Sequence, residues 1–265
     1  MFVNQQTNKG CVWLVEISEL FWNANPEQLK AGYIEEKEFF VCLLCGEKIE
    51  KGIIYPAESL LFEAERYMKR HIVMEHGSVF HYLIGLNKKL TGLTDHQNSL
   101  LRLFYDGKSD AEIQTELNIG TSSTIRNHRF VLKEKERQAK MFLTIMELLK
   151  QKDDHAPTFL PLHKTATMVD DRYNITAEEQ QEVEKKFFPE GVDGPILKFP
   201  KKEKHKLATL RVIIKRFEQE KTYSEKEINA ILKNIYADFV TLRRYLIEYG
   251  FLDRKDDGSA YWVKK

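Results

Sequence analysis

The sequence has few cysteines, little net charge and no long apolar run. Only three cysteines occur among 265 residues, which argues against the disulfide framework of a small secreted protein and favours reduced thiols and a metal site. No segment approaches the roughly 18 consecutive apolar residues of a membrane span, and the amino terminus lacks the basic and apolar regions of a signal peptide. These absences predict a cytoplasmic protein with no membrane partner.

Charges of the two signs nearly cancel. Lys and Arg together number 41 and Asp and Glu 40, which gives a formal net charge of +1. Any affinity for DNA must therefore come from local basic patches and not from a global field. The length suits two or three domains, each able to bury its own core.

Helix-start signals cluster between residues 93 and 124. Thr94 with Gln97, and Ser109 with Glu112, have the spacing of reciprocal capping boxes. Gly107 can end the first helix. A turn at 118–120 then leads to hydroxyl side chains at 121–123, which can cap a third helix. This order predicts a helix-turn-helix.

The third helix of this segment is basic at its start. In a helix-turn-helix the second helix of the motif enters the major groove, where hydroxyl, amide and guanidinium groups bond phosphates or base edges. His128 is interpreted as a packing or phosphate-contact residue and not as a catalytic one. The predicted DNA contacts are Ser122, Ser123, Thr124, Arg126, Asn127, Arg129 and Lys133.

This segment resembles the DNA-binding domain of the LuxR family of bacterial transcription regulators. The resemblance implies a helical bundle that binds double-stranded DNA. Gln97 and Gln114 depart from the family pattern, so no base preference is carried over. The matching residues are Leu93-Thr94, Gly107, Ser109, Glu112-Ile113, Leu117, Thr124-Ile125-Arg126 and His128.

A second pattern has the chemistry of a zinc site. Cys42 and Cys45 are followed, after a gap of 25 residues, by His71 and His76 near the end of a helix predicted over 58–75. Two thiolates and two imidazoles are typical of structural zinc, although the gap is longer than in common strand-strand-helix fingers. His81 is an alternative fourth ligand. The competing interpretation is a cysteine pair in a core strand with two surface histidines.

The residues around this pattern favour a structural role for the metal over a catalytic one. The sequence at 71–76 fits neither order of the zinc-protease motif, and four protein ligands leave no open position for water. Cys11 is interpreted as a small buried apolar residue. Residues 12–29 predict a short helical cap with two core tryptophans.

A long helix is predicted beyond the basic one, because neither Gly nor Pro occurs from 130 to 154. Its apolar stripe would pair with the same helix of a second subunit, or pack on a neighbouring domain. We favour a homodimer that reads a palindromic site. The stripe consists of Met141, Phe142, Ile145, Met146, Leu148 and Leu149.

The rest of the chain predicts a linker and a second small domain. Residues 163–173 are interpreted as a docking strand, with a ligand contact as the alternative, and Thr176 with Glu179 starts a charged helix. After 198, a basic stretch leads to three helices and a hairpin, the order of a winged helix, and Ser224 with Glu227 caps the second of these helices. The stretch resembles a carboxy-terminal domain of unknown function in bacterial regulators, at Phe199-Pro200, 223–229, Leu242-Arg243-Arg244, Gly250-Phe251-Leu252 and 258–261.

These patterns predict a mainly α protein. Its segments would be a zinc-finger-like ββα module (1–90), a LuxR-type helix-turn-helix bundle with a long helix (91–152), a linker with one helix (153–197) and a winged-helix-like domain (198–265). The expected function is sequence-specific DNA binding in bacterial transcription regulation, with zinc as cofactor and DNA, a second copy and RNA polymerase as partners. The alternatives are a protein-interaction adaptor that binds no DNA and, less favoured, a zinc hydrolase or nuclease, for which paired acids are missing.

Overall fold

The computed structural model describes residues 19–219 and 221–264. These residues form two compact units, one of which is the continuous stretch Thr91–Thr158. The other unit combines the described residues before Thr91 with those after Thr158. Segments 1–90 and 198–265, which the sequence patterns assign to different domains, therefore contribute to one unit. Cys11 and the predicted cap over 12–18 lie outside the described residues.

The amino-terminal part of the first unit packs helices against small antiparallel sheets. After a helical stretch at 19–23, its elements are α1 (Pro26–Ala31), β1 (Tyr33–Glu35), β2 (Phe39–Cys42), β3 (Lys48–Glu50), β4 (Ile54–Ala57), β5 (Leu60–Glu63), α2 (Ala64–His76), α3 (Val79–Gly85) and α4 (Lys88–Thr91). Strands β1, β2 and β3 form one sheet, while β4 and β5 form a separate hairpin. Helix α2 packs on the first sheet through Ala64, Met68 and Ile72, all of which are buried.

The β4–β5 hairpin corrects two boundaries predicted from the sequence. The helix expected from Glu58 begins at Ala64, because residues 60–63 pair with β4 instead. Within β5 only Phe62 is buried, and both of its neighbours along the strand are exposed, because successive side chains of a strand point to opposite faces. The sequence is strand-like already from Lys51, but residues 51–52 form a turn and β4 begins at Ile54. Pro56 is tolerated there because β4 pairs with β5 alone.

The second unit contains three helices around a small apolar core. They are α5 (Asp95–Tyr105), α6 (Asp110–Glu116) and α7 (Ser122–Lys150). The capping boxes predicted at Thr94 and Ser109 are confirmed, and Thr121 caps α7. The core consists of Leu100, Leu103, Ile113 and Ile125. Hydrophobic spacing and caps written into the sequence thus account for the bundle.

Helix α7 extends far beyond this core. It has 29 residues, of which only Ile125 is buried. From residue 136 to its end every side chain is exposed. Among the described residues no helix is both long enough and apolar enough to cross a bilayer.

The carboxy-terminal part of the first unit holds the largest core. Its elements are a 3-10 turn (Asp171–Tyr173), α8 (Ala177–Phe187), α9 (Glu203–Ile214), α10 (Glu225–Lys233), α11 (Phe239–Glu248), β6 (Leu252–Arg254) and β7 (Tyr261–Val263). The capping boxes predicted at Thr176 and Ser224 are confirmed, as is the hairpin. Tyr223 extends the hairpin by pairing with Tyr261. Together with the amino-terminal sheets, this hairpin makes the described chain mixed in class, although mostly helical.

Residues 160–167, which we call the crossing segment, join the two parts of the first unit. His163 is buried, and its ring stacks on Phe251 with 4.1 Å between centroids. Its Nε2 lies 3.1 Å from the Tyr173 hydroxyl. A Cβ on Gly250, where φ is +80°, would lie 2.2 Å from the Thr165 carbonyl oxygen, so the close approach requires glycine. The docking strand predicted over 163–173 is wrong in type, because the structure has turns and a 3-10 turn (Asp171–Tyr173) there, but the stretch is tightly packed.

Burial of His163 makes the stability of this unit depend on pH. Loss of solvation, with a smaller contribution from Arg211, lowers the pKa of His163 to about 3, whereas an unfolded histidine titrates near 6.5. Below about pH 6.5 the imidazole is protonated in the unfolded state but stays neutral in the folded state. The free energy of unfolding therefore falls as pH falls. The expected loss approaches about 1.4 kcal/mol for each pH unit below 6.5. Urea unfolding at about pH 7 and pH 5.5 should show a smaller pH effect in His163→Gln than in the wild type. Equal pH effects would contradict the assignment.

Candidate functional site

Four metal-binding side chains converge between the first sheet and α2. The turn between β2 and β3 carries Cys42 and Cys45, while the last two turns of α2 carry His71 and His76. The Cys45 sulfur lies 3.2 Å from His71 Nε2, and the Cys42 sulfur lies 3.7 Å from His76 Nε2. All four ligand atoms lie within 4.8 Å of one another. The residues selected from the sequence are therefore close enough to bind one metal ion.

The backbone between the two cysteines is folded into a knuckle, residues 42–46. The amides of Leu44 and Cys45 point at the Cys42 sulfur, and the Gly46 amide donates to the Cys42 carbonyl oxygen over 2.8 Å. Gly46 has a φ of +89°, a conformation that favours glycine. Backbone donors aimed at a sulfur stabilise the thiolate, which is the form that binds metal.

The electrostatics of the four residues favour an ionised sulfur at Cys42. A hydrogen bond from the Cys45 thiol, helped by the backbone donors, lowers the pKa of Cys42 to about 7. The same hydrogen bond raises the pKa of Cys45, and the contact with Cys45 raises the pKa of His71. Metal binding must displace the protons shared within this cluster, so affinity will rise with pH.

The spacing of the ligand atoms suits a tetrahedral ion. Bonds of about 2.0–2.3 Å from such an ion to nitrogen and sulfur place neighbouring ligand atoms roughly 3.3–3.8 Å apart. The two shortest observed pairs lie close to that range, and a small contraction would bring in the rest. His81 hydrogen-bonds with Ser78 at 2.7 Å and does not join the cluster.

Lys164 of the crossing segment contacts the knuckle, although no sequence pattern marks this residue. Its ammonium donates to the carbonyl oxygens of Leu43 and Leu44, over 3.0 and 2.8 Å. The side chain is buried, and the ammonium lies 5.4 Å from the ring centroid of Phe21 and 5.5 Å from that of Tyr82. Burial lowers the pKa of Lys164 to about 8, although the two cysteines oppose this shift.

The residues predicted to contact DNA lie on the first three turns of α7. All seven are exposed: Ser122, Ser123, Thr124, Arg126, Asn127, Arg129 and Lys133. Ser123, Arg126 and Asn127 lie on the side of the helix that faces away from the buried Ile125. Successive residues of an α-helix are turned by about 100°, so Ser123 and Asn127 are turned by about 200° from Ile125 and Arg126 by about 100°. Thr124 accepts or donates in a 3.0 Å hydrogen bond with Thr121, so it supports the helix start.

Two of the predicted contacts are engaged within the second unit. Arg129 pairs with Asp110 at 2.9 Å and lies over the Phe104 ring, 3.7 Å from its centroid. Lys133 pairs with Glu136 at 2.6 Å. His128, for its part, lies against His96, with 3.3 Å between their Nε2 atoms. Phe130 is 61% exposed on the same face as Arg126 and was not predicted.

Comparison with known proteins gives one match, in the carboxy-terminal part. A family model described as an uncharacterized protein conserved in bacteria, DUF2087, matches residues 195–263. That stretch contains α9, α10, α11 and the β6–β7 hairpin, so the resemblance to a domain of unknown function is supported. No curated protein and no solved structure matches the chain.

Metal binding can be tested by titrating the full chain with Co²⁺, whose sulfur charge-transfer absorption reports thiolate ligation. We expect the wild type to bind one equivalent. His71→Ala should weaken binding by more than about 100-fold, because loss of a direct ligand exceeds the effect of losing an outer contact.

The matched control is His81→Ala, which removes a nearby exposed histidine outside the cluster. It should bind Co²⁺ like the wild type. Equal losses in both variants, or no sulfur absorption in the wild type, would contradict the four-ligand site.

Proposed function

We propose that this chain is a sequence-specific DNA-binding regulator of bacterial transcription. The observation that carries the proposal is the exposed first face of α7, where Ser123, Arg126 and Asn127 stand together opposite the core residue Ile125. A guanidinium and an amide on one helical face can each make paired hydrogen bonds to base edges in the major groove.

The geometry of α6 and α7 supports a helix-turn-helix assignment. The connection spans residues 117–121, and Asn118 takes a φ of +52° within it. Ile113 of α6 and Ile125 of α7 share the core with α5, which fixes the two helices against each other. This arrangement, with the LuxR-like residues at the helix starts, is consistent with α7 as the recognition helix.

Ion pairs along α7 limit the charge available to phosphates. Lys133 pairs with Glu136, and Arg137 pairs with Glu134. Lys135 donates to the Gly92 carbonyl oxygen. Arg126 therefore has the leading role in our proposal, and Arg129 would have to leave Asp110 to reach DNA.

We further propose that the metal is zinc and that its role is structural. Two cysteines and two histidines form the ligand set of closed tetrahedral zinc sites, with no position left for a reacting water. On this ground we assign the chain no catalytic activity. Zinc would join the β2–β3 turn to the end of α2.

The carboxy-terminal elements support a winged-helix-like domain. Three helices precede the β6–β7 hairpin, and Tyr223 supplies the short first strand by pairing with Tyr261. Arg243, a candidate for DNA contact by position, instead pairs with Glu225 at 2.9 Å and with Asn229 at 2.6 Å. We therefore assign the recognition of DNA bases to α7 and not to the carboxy-terminal domain.

A homodimer through the second half of α7 completes the proposal. One side of the helix carries the stripe of Met141, Phe142, Ile145, Met146, Leu148 and Leu149, and Glu147 lies opposite the centre of this stripe. The exposed fraction of the stripe residues ranges from 37% to 61%. Exposing so much contiguous apolar surface to water is unfavourable and unusual for a helix that has no partner. A second copy offers an identical apolar stripe, and two-fold pairing suits a palindromic DNA site.

The second candidate is a protein-interaction adaptor that binds no DNA. The observation that favours it is the pairing of Arg129, Lys133 and Arg137 with acidic partners inside the second unit. The two candidates differ in salt dependence, since phosphate contacts make affinity fall steeply as salt rises and an apolar interface does not.

DNA binding is tested by selecting sequences from a random duplex library with the full chain. The wild type should enrich a defined motif, and affinity for that motif should fall with salt. Replacing Arg126 and Asn127 together by Ala should weaken binding by at least about tenfold, the cost of one lost paired contact to a base.

The control replaces two exposed polar residues further along the same helix, Gln138→Ala with Lys140→Ala. This variant should enrich the wild-type motif. If no motif is enriched by the wild type, or the Arg126 and Asn127 variant reads it unchanged, the groove assignment is wrong.

Dimerisation is tested by light scattering at micromolar concentration. Phe142→Glu with Ile145→Glu places two charges in the apolar stripe and should yield monomers, because a buried unpaired charge is costly. Glu147→Lys changes the opposite side and should leave the dimer intact. A monomeric wild type, or a dimer that tolerates both changes in the stripe, would contradict the interface.

A further inference from the structure

The crossing segment contacts the two parts of the first unit with neighbouring side chains. His163 enters the carboxy-terminal core, where it meets Phe251 and Tyr173. Lys164, the next residue, reaches the knuckle carbonyl oxygens of Leu43 and Leu44. Both residues belong to a turn that the Ala166 amide closes by donating to the His163 carbonyl oxygen over 3.0 Å. At this turn one short segment contacts both parts.

The carboxy-terminal side of this contact is firmly held. Arg211, which is buried, donates to the Pro161 carbonyl oxygen over 2.8 Å. Thr167 donates to the Glu248 carbonyl oxygen over 2.5 Å, and Thr165 lies against Gly250. The crossing segment is therefore anchored to the part that contains the DUF2087 match.

The amino-terminal side rests on fewer contacts. Besides the two bonds made by Lys164, the Trp22 indole donates to the Leu162 carbonyl oxygen over 2.7 Å. Trp22 itself is 39% exposed, whereas Lys164 is buried among Phe21, Tyr82 and the knuckle. Lys164 thus makes the buried polar contact between the crossing segment and the knuckle.

The acceptors of Lys164 are the two residues between the metal-binding cysteines. An ion bound by Cys42 and Cys45 fixes the backbone at both ends of Leu43-Leu44, and with it the direction of both carbonyl groups. Without the ion, the knuckle keeps only the constraints of its own packing and amide hydrogen bonds, such as Leu43 to the Gly32 carbonyl oxygen over 2.9 Å, and the two carbonyls are held less firmly toward Lys164. A buried ammonium that loses its acceptors is strongly destabilised, so the crossing segment would be released.

We propose that a divalent, zinc-like ion at the knuckle controls the docking of the crossing segment through Lys164. The inference rests on the metal site of the proposed function and adds its regulation. With the ion bound, the amino-terminal part is held to the part that matches DUF2087. When the ion leaves, the two parts separate at the knuckle. Lys164 is a positioning residue in this scheme, because it touches the knuckle backbone and not the ion.

Coupling of this kind is reciprocal. If the ion tightens docking by some factor, docking must tighten ion binding by the same factor. Typical couplings between two sites lie at about 5- to 150-fold. Lys164→Met, which keeps the apolar stem and removes the ammonium, should therefore weaken Co²⁺ binding by such a factor and still permit it.

The experiment is amide hydrogen exchange of the full chain, with Co²⁺ and after chelation, read in peptides that cover residues 159–168. For the wild type we expect exchange there to accelerate about 5- to 150-fold on chelation. Lys164→Met should exchange rapidly even with saturating Co²⁺. Lys185→Met, which changes an exposed lysine of α8, should behave like the wild type.

The outcomes separate the inference from the metal site beneath it. If the wild type shows no Co²⁺ charge-transfer absorption, the metal site and the inference are both overturned. If Co²⁺ binds but residues 159–168 exchange equally with and without it, the coupling alone is overturned. The wild-type comparison needs no variant, so it decides the question even if Lys164→Met does not fold.

Discussion

The cluster of Cys42, Cys45, His71 and His76 connects the first sheet of the amino-terminal part to α2. Among the described residues, the apolar cluster at this site has seven buried members: Phe40, Cys42, Leu44, Ile49, Ala64, Met68 and Ile72. So small a core provides little hydrophobic stabilisation beyond the entropy lost on folding. One ion bound by two cysteines and two histidines would connect the β2–β3 turn to the end of α2. It would do so directly above this core, because Cys42 and Ile72 belong to it.

How far the sequence predicts the structure depends on how local each interaction is. The caps at Thr94, Ser109 and Ser224 use atoms three residues apart, and all were predictable. The Cys and His pairs were predictable because metal chemistry restricts both residue type and spacing. The helix start at Glu58 was wrong because pairing between β4 and β5 outweighs local preference. DNA binding and the LuxR resemblance stay predictions.

Lys164 shows what such reasoning misses. It meets its acceptors across 120 and 121 positions of sequence, and a lone lysine in an irregular stretch has no pattern that marks it as buried. The contact exists because the fold brings the described residues before Thr91 and those after Thr158 into one unit. The linker expected over 153–197 therefore contains, in its first third, residues that connect the two parts of this unit.

Helix α7 combines two different surfaces in one continuous element: an exposed polar face near its start and an exposed apolar stripe near its end. Near its start, Ile125 fixes the helix in the core, and this exposes the opposite face with Arg126 and Asn127. Beyond residue 136 no side chain of the helix is buried, so nothing in the described second unit covers its apolar stripe. If the stripe pairs with a second copy, the rigid helix fixes the distance between two recognition faces, because each residue adds about 1.5 Å. The spacing of two DNA half-sites would then follow from the length of α7.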